Sequence, residues 1–395
     1  MNSRLKVTVR ASTWRVVLAW LPCLLSANGS AALPAPQTPV FPMRPAGTAN
    51  DARRELLLRG EAALAGSNVD AATQAFEHAG AMMHAADAEM GLVRSYMQAG
   101  EYKRALSFSA HVAGEHRDEP GGVALYAWLL HIGGNRVAAR RLLQEAEGRL
   151  PADPLLALMR EELSSPFPMA ASRLSQAPAR FAPYGSSTGL PLDARVVGTG
   201  VLLSAESLVL VPLSTLSHTS ALWVRNGLGK LARAKVERRL VKQGIAVLRL
   251  DHPMPTGSKM SPAARDPFPG SIAHSVEYAT TSDAKPAWPV LTSGFLGQPK
   301  DDSGERRLGI DLQKGPRGGP VFDAAGRFIG IAMPGRDGLD QIVLASRLNL
   351  QAGESTTDSP GASANASAPS PVGLNQIYES AMAVSVQIIA TRRGK

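Results

Sequence analysis

The chain has 395 residues, 44% of them apolar and 19% charged, with a net charge of +9 from 42 Lys and Arg against 33 Asp and Glu. That length suffices for two or three domains, and the composition excludes wholesale disorder. The basic excess favours anionic partners such as an envelope surface but names no ligand.

The first 32 residues have the pattern of a signal peptide: Arg4, Lys6, Arg10 and Arg15, then the short apolar run VVLAWLPCLL, then small residues around Ser30. The run is too short to span a bilayer, so export, with the bacterial periplasm as destination, is the expectation. The sole cysteine, Cys23, lies inside this segment and would be lost with it. Disulfides, thiolate catalysis and cysteine-bound zinc drop out, and no cofactor or metal is expected. Residues 33–50 are Pro-rich and read as a linker.

Between 51 and 164, apolar residues recur at helical spacing, and Gly66, Gly100 and Gly134 stand 34 residues apart. A helix is predicted just past each glycine, with Ala72, Ala105 and Ala139 where two helices must approach closely. Asp153-Pro154 opens a further helix as cap and first-turn proline. The period and the placement of Leu92 and Tyr96 resemble the tetratricopeptide repeat, an α-solenoid of helix–turn–helix units. The resemblance implies a concave groove for a protein or peptide partner, with Tyr96 as a candidate binding residue.

Residues 165–190 read as a second linker. From there to about 350 the pattern is β: RVVGTGVLL, SLVLVPL, SALWVRN, KLARAKVERRL, IAVLRL, WPVLTSGFL, RLGIDL, PVFD, RFIGIAM and QIVLA are short, β-branched and bounded by turn residues. Such a series predicts a barrel or sandwich. Gly198-Thr199-Gly200, the stretch LVLVPLSTL, KQGIAVLRL, and above all KGPRGGPVFDAAGRFIGI resemble, in order, the chymotrypsin-fold serine proteases of the bacterial periplasmic heat-shock kind. The resemblance implies a double-barrel, trypsin-like domain over 191–350. It also places Ser214 at the histidine position, Gly244 at the aspartate position and Arg317 at the serine position.

None of the three can do what the triad needs. A hydroxyl has replaced the base, no side chain orients it, and a guanidinium that keeps its proton stands for the nucleophile. Pro316 restricts Gly315, whose N–H the family's oxyanion hole would use. Degenerate catalysis is therefore the expectation, with Arg317 either holding an anion or paired with an acid such as Asp311. A displaced set drawn from Ser214, His218 and Ser293, or a dyad on Lys314, is the rival reading, that of an active peptidase.

Residues 351–372 read as a disordered linker, and 373–395 end in SVQIIA, a strand pattern. In the resembled proteases a stretch similar to IYESAMAVSVQII precedes the Gly-Ser-Gly strand, which suggests a circular permutation with the tail completing the first barrel. The rival reading is a second domain cut short. His78, Met82, Met83 and His84 suggest soft-metal binding, but core packing accounts for them better, and His111 and His116 should diverge on a helix. Seven basic residues between Arg225 and Lys242 mark a basic strand face, the basis of a third reading as an envelope-surface binder. No nucleic-acid module stands out. The reading that best joins these features is an exported, non-catalytic scaffold for proteins or peptides.

Overall fold

The computed structural model describes residues 47–165, 180–185, 187, 189–203, 207–217, 219–255, 260–281, 283–299, 306–312, 317–335, 338–348 and 370–392. The targeting segment, most of the three linkers, His218, Lys314, Gly315 and Pro316 lie outside these residues.

Seven helices come first: α1 (Gly47–Ala65), α2 (Val69–Met82), α3 (Ala86–Ala99), α4 (Tyr102–Glu115), α5 (Pro120–Ile132), α6 (Arg136–Arg149) and α7 (Pro154–Ser164). Their starts are written locally. The Asn68 and Asn135 side chains accept from the N–H groups of Ala71 and Ala138. Asp153 accepts from Leu155 and Leu156, with Pro154 at the first helical position. The three spaced glycines fall in the turns inside successive helix pairs, and α7 packs on α5 and α6. In α5 every residue from Gly121 to Ile132 is buried except Tyr126, so this helix is covered on all sides.

The strands then build two closed antiparallel barrels. The first uses β1 (Arg195–Leu202), β2 (Leu208–Pro212), β3 (Thr219–Asn226), β4 (Leu231–Leu240) and β5 (Ile245–Leu250). The second uses β6 (Ile272–Glu277), β7 (Val290–Pro299), β8 (Arg306–Gly309), β9 (Pro320–Asp323), β10 (Phe328–Pro334) and β11 (Asp340–Leu344), in the closed order β10-β11-β8-β7-β6-β9. Helices followed by a double barrel is the fold class expected from the sequence. One strand was not anticipated: β6 reads IAHSVE, with three polar residues in six, and lacks the apolar alternation that marks a strand.

The chain ends with α8 (Leu374–Val384) and β12 (Ser385–Arg392). β12 pairs with β1 on one side, Ile388 opposite Gly198, and with β3 on the other, Ile389 opposite Trp223, giving the closed order β1-β12-β3-β4-β5-β2. Val386, Ile388 and Ala390 enter the first barrel's interior with Val209, Val224 and Leu248, while Ile389 packs outside with Val196 and Trp223. The tail thus occupies the place that the permuted reading assigns to it. α8 joins the helices to the barrels. Tyr378 packs on Tyr102 of α4, ring centres 4.4 Å apart, and donates its hydroxyl proton to the Pro289 carbonyl at 2.8 Å. One apolar core runs from α3 and α5 through Trp288 and Leu291 to Tyr378 and Met382.

The basic surface expected between Arg225 and Lys242 is smaller than the sequence suggests, because Arg225, near the end of β3, does not contribute to it. Arg225 is fully buried, donating to the carbonyl of Ala284 at 2.6 Å and to Gln387 at 3.3 Å, and burial depresses it to about 10. Val236, two residues beyond the buried Ala234, is exposed, and the register shifts just after it, between Val236 and Arg238.

Candidate functional site

The seam between the barrels collects the three positions that the protease resemblance singles out. β2 ends at Pro212 and passes into a 3-10 turn, Leu213–Leu216, in which Ser214 is exposed. The Leu213 N–H donates to the carbonyl of Gly244 at 2.8 Å. Gly244 closes the neighbouring 3-10 turn in a left-handed conformation, φ 66°, which favours glycine. Across the seam, Gly318 has φ 136°, and a Cβ there would collide with the Thr199 carbonyl and lie 2.7 Å from Pro212 Cδ. Glycine at 318 is therefore what lets the segment after Arg317 run directly against β1 and β2. Ser214 also lines an open pocket of about 440 Å³ with Arg195, Val196, Thr215, Ser217, Thr280 and Thr281.

Arg317 does not project into solvent. It is 8% exposed, and Asp340 at the start of β11 grips it in a fork: Nε to Oδ1 at 2.7 Å and Nη2 to Oδ2 at 2.9 Å. Nη2 also reaches the Leu312 carbonyl at 3.4 Å. The acid that the sequence offered, Asp311, is exposed, and its charge acts on Arg136. The correct partner, 23 residues away in sequence, needs β11 folded back beside β10 to arrive.

A second buried carboxylate lies next to this pair. Glu277, the last residue of β6, is 3% exposed and accepts from the Gly319 N–H at 2.9 Å. Burial pushes its carboxyl up to about 7, opposed by the Thr199 hydroxyl, the Gly319 N–H and the charge of Arg317. Thr199 in turn accepts from the Tyr278 N–H at 2.8 Å, tying the two barrels together. Sequence reading missed Glu277, Thr199 and Asp340 as members of one network. The available signal was a lone acid ending a strand. Chemically the seam is a polar clamp, in which Arg317 is a paired cation and Gly244 brings no side chain.

An imidazole and a hydroxyl do meet elsewhere. His274 Nδ1 lies 2.8 Å from Oγ of Ser293, its direct cross-strand partner on β7. Ser293 was among the candidate displaced nucleophiles, and it is exposed. Burial lowers the affinity of His274 for a proton, and Asp323 acts in the opposite sense. Asp323 is itself held by Arg327 at 2.8 Å and by the N–H groups of Ala325 and Arg327. His274 follows Ala273, which faces the interior of the second barrel, so His274 leaves by the outer face, opposite to Glu277. The pair is thus not aimed at the seam.

The helical half holds a segment of its own chain. Phe181 packs on Trp128 of α5, centroids 5.7 Å apart. The Gln98 side chain of α3 accepts from the Tyr184 N–H at 3.1 Å and donates to the Tyr184 carbonyl at 3.0 Å. Tyr184 also bonds Glu61 through its hydroxyl, and Arg180 lies 3.9 Å over its ring. Part of what reads as linker is therefore bound by the helices in the manner of an extended peptide. Tyr96, the binding candidate from the repeat resemblance, has its ring inside the array, edge-on to Phe108 and 3.9 Å from the Arg104 guanidinium.

No protein-family model matches the chain, and no curated protein matches it. Solved structures similar to it include the HtrA-type protease AlgW with a decapeptide, at 18% identity and a TM-score of 0.31, covering 38% of this chain and 48% of that one. The chain thus spans about half the length of AlgW. Also similar is the Rv3671c protease from M. tuberculosis. Its inactive form has 18% identity and a TM-score of 0.31 over 39% of this chain and 82% of that one, and its active form a TM-score of 0.32 over 46% and 82%. Among the described residues no helix is long and apolar enough to cross a membrane.

Proposed function

We propose that this protein is an exported, non-catalytic scaffold that binds proteins or peptides through its helices and its protease-like barrels. The observation that carries the reading is Arg317. At the position that the protease resemblance gives to the nucleophile stands a cation, buried and held by both oxygens of Asp340. It has no electron pair to attack a carbonyl, and releasing it from Asp340 would leave a buried charge uncompensated. Gly244 offers nothing to orient a base. The way Gln98 holds both backbone groups of Tyr184 supports recognition of extended chain by the helical array. Loss of Arg225 to the interior weakens the reading as a purely basic envelope binder.

The hydrogen bond between His274 and Ser293 favours one competing reading, a peptidase with a displaced nucleophile. The test is to offer the full chain a fluorophosphonate probe and fluorescent unfolded casein. Binding of casein without labelling or cleavage is expected. Covalent labelling, or cleavage abolished by Ser293→Ala or Ser214→Ala, would overturn the proposal, and absence of any binding would remove its scaffold half.

A further inference from the structure

The sequence groups His84 with His78, Met82 and Met83, but the fold regroups it. His84 lies in the connection between α2 and α3, and its Nε2 is 2.8 Å from Glu89 Oε1. His116 stands just past the end of α4, at φ −107° and ψ 57°, and its Nε2 is 3.0 Å from Glu89 Oε2. Because His116 is outside the helix, the divergence expected of residues five apart does not apply. His111, itself exposed, also reaches toward Glu89, with Nε2 4.0 Å from Glu89 Oε1 and its ring stacked on Phe108. Glu89 itself, in the first turn of α3, is only 7% exposed. Among the described residues, one ligand atom each from His84, Glu89 and His116 lie within 4.8 Å of one another, and the His84 and His116 rings are 4.9 Å apart.

We propose that His84, Glu89 and His116 form a divalent transition-metal site, with His111 at its edge, and that zinc is its ion. Two imidazoles and a carboxylate are a donor set that zinc accepts, at about 2.0–2.2 Å from each ligand atom. Ligand atoms around a tetrahedral ion at such distances stand roughly 3.3–3.5 Å apart. The present separations bracket that value, so closure on an ion needs only small side-chain adjustments. His84 is well exposed on a non-helical connection and can make them. Imidazole and carboxylate without a thiolate argue against a copper(I) site, and two imidazoles argue against calcium or magnesium. The fourth position would be open to water, to His111 or to a donor from another molecule. Such an ion would staple the α2–α3 connection to the end of α4, coupling its binding to the stability of the helical array.

The test uses the full, untagged chain stripped with a chelator and titrated with zinc alone. Calorimetry with elemental analysis should give one zinc per chain. Cobalt in its place should show the absorption of a tetrahedral ion, and the melting temperature should rise with zinc and fall back with chelator. His84→Ala, on an exposed connection and checked for folding by circular dichroism, should weaken binding at least about tenfold. His78→Ala, exposed and outside the cluster, should leave it unchanged. Absence of saturable binding, or binding that persists undiminished in a His84→Ala/His116→Ala double variant, would overturn the site. Neither result bears on whether the barrels cut peptides.

Discussion

Replacing Glu277 by Gln should stabilise the protein, and by an amount that depends on pH. Its carboxyl has an ordinary value of 4.5 and is raised to about 7 in the folded chain, chiefly by burial. The folded state therefore keeps this proton across a range in which the unfolded chain has released it. Below about pH 4.5 both states are protonated and the residue costs nothing. As pH climbs, stability falls at about 1.4 kcal/mol per pH unit until the folded-state value is passed. The gap from 4.5 to about 7 corresponds to about 3 kcal/mol lost by pH 8. A glutamine keeps an oxygen for the Gly319 N–H and has no proton to lose, so it escapes this penalty. Urea unfolding of both proteins at half-unit steps from pH 4.5 to 8 isolates the effect, because every other titrating group cancels in the difference. The advantage of the variant should grow through that window and level off above pH 7. A difference that stays flat from pH 4.5 to 8 would show that Glu277 ionises as an ordinary carboxyl, and the buried-seam reasoning would be wrong.

Other consequences of the seam and the tail are equally open to measurement. Asp340→Asn removes the charge that compensates Arg317 and should cost about 3–5 kcal/mol, whereas Arg317→Met with Asp340→Leu should fall near the wild type. Equal losses in the two proteins, read from chemical denaturation, would mean that the pair is not a buried unit. Ending the chain at Pro371 removes α8 and β12, leaving β1 and β3 without the strand between them and Tyr102 without Tyr378. Calorimetry should then show no cooperative melting of the barrels, and the exposed edges should promote aggregation. An unchanged transition would mean that the first barrel closes without its C-terminal strand.

Much of the architecture is local and therefore legible in the residues. Asn68, Asn135 and Asp153 start helices through bonds to N–H groups two or three residues away. The β-branched runs become strands because their own side chains favour the extended backbone. That Ser214, Gly244 and Arg317 include neither an imidazole nor a carboxylate is also a property of the letters. β6 escaped notice because His274, Ser275 and Glu277 put polar residues on both of its faces, which only the second barrel's seam and outer packing explain. Pairings across long stretches of chain came from tertiary structure alone: Arg317 with Asp340, β12 between β1 and β3, Gln98 with Tyr184, and His116 with Glu89. Residue type and short-range spacing set which conformations each segment prefers. Which distant groups become neighbours is decided by the closure of two barrels and the docking of the helices upon them, and no local preference encodes that.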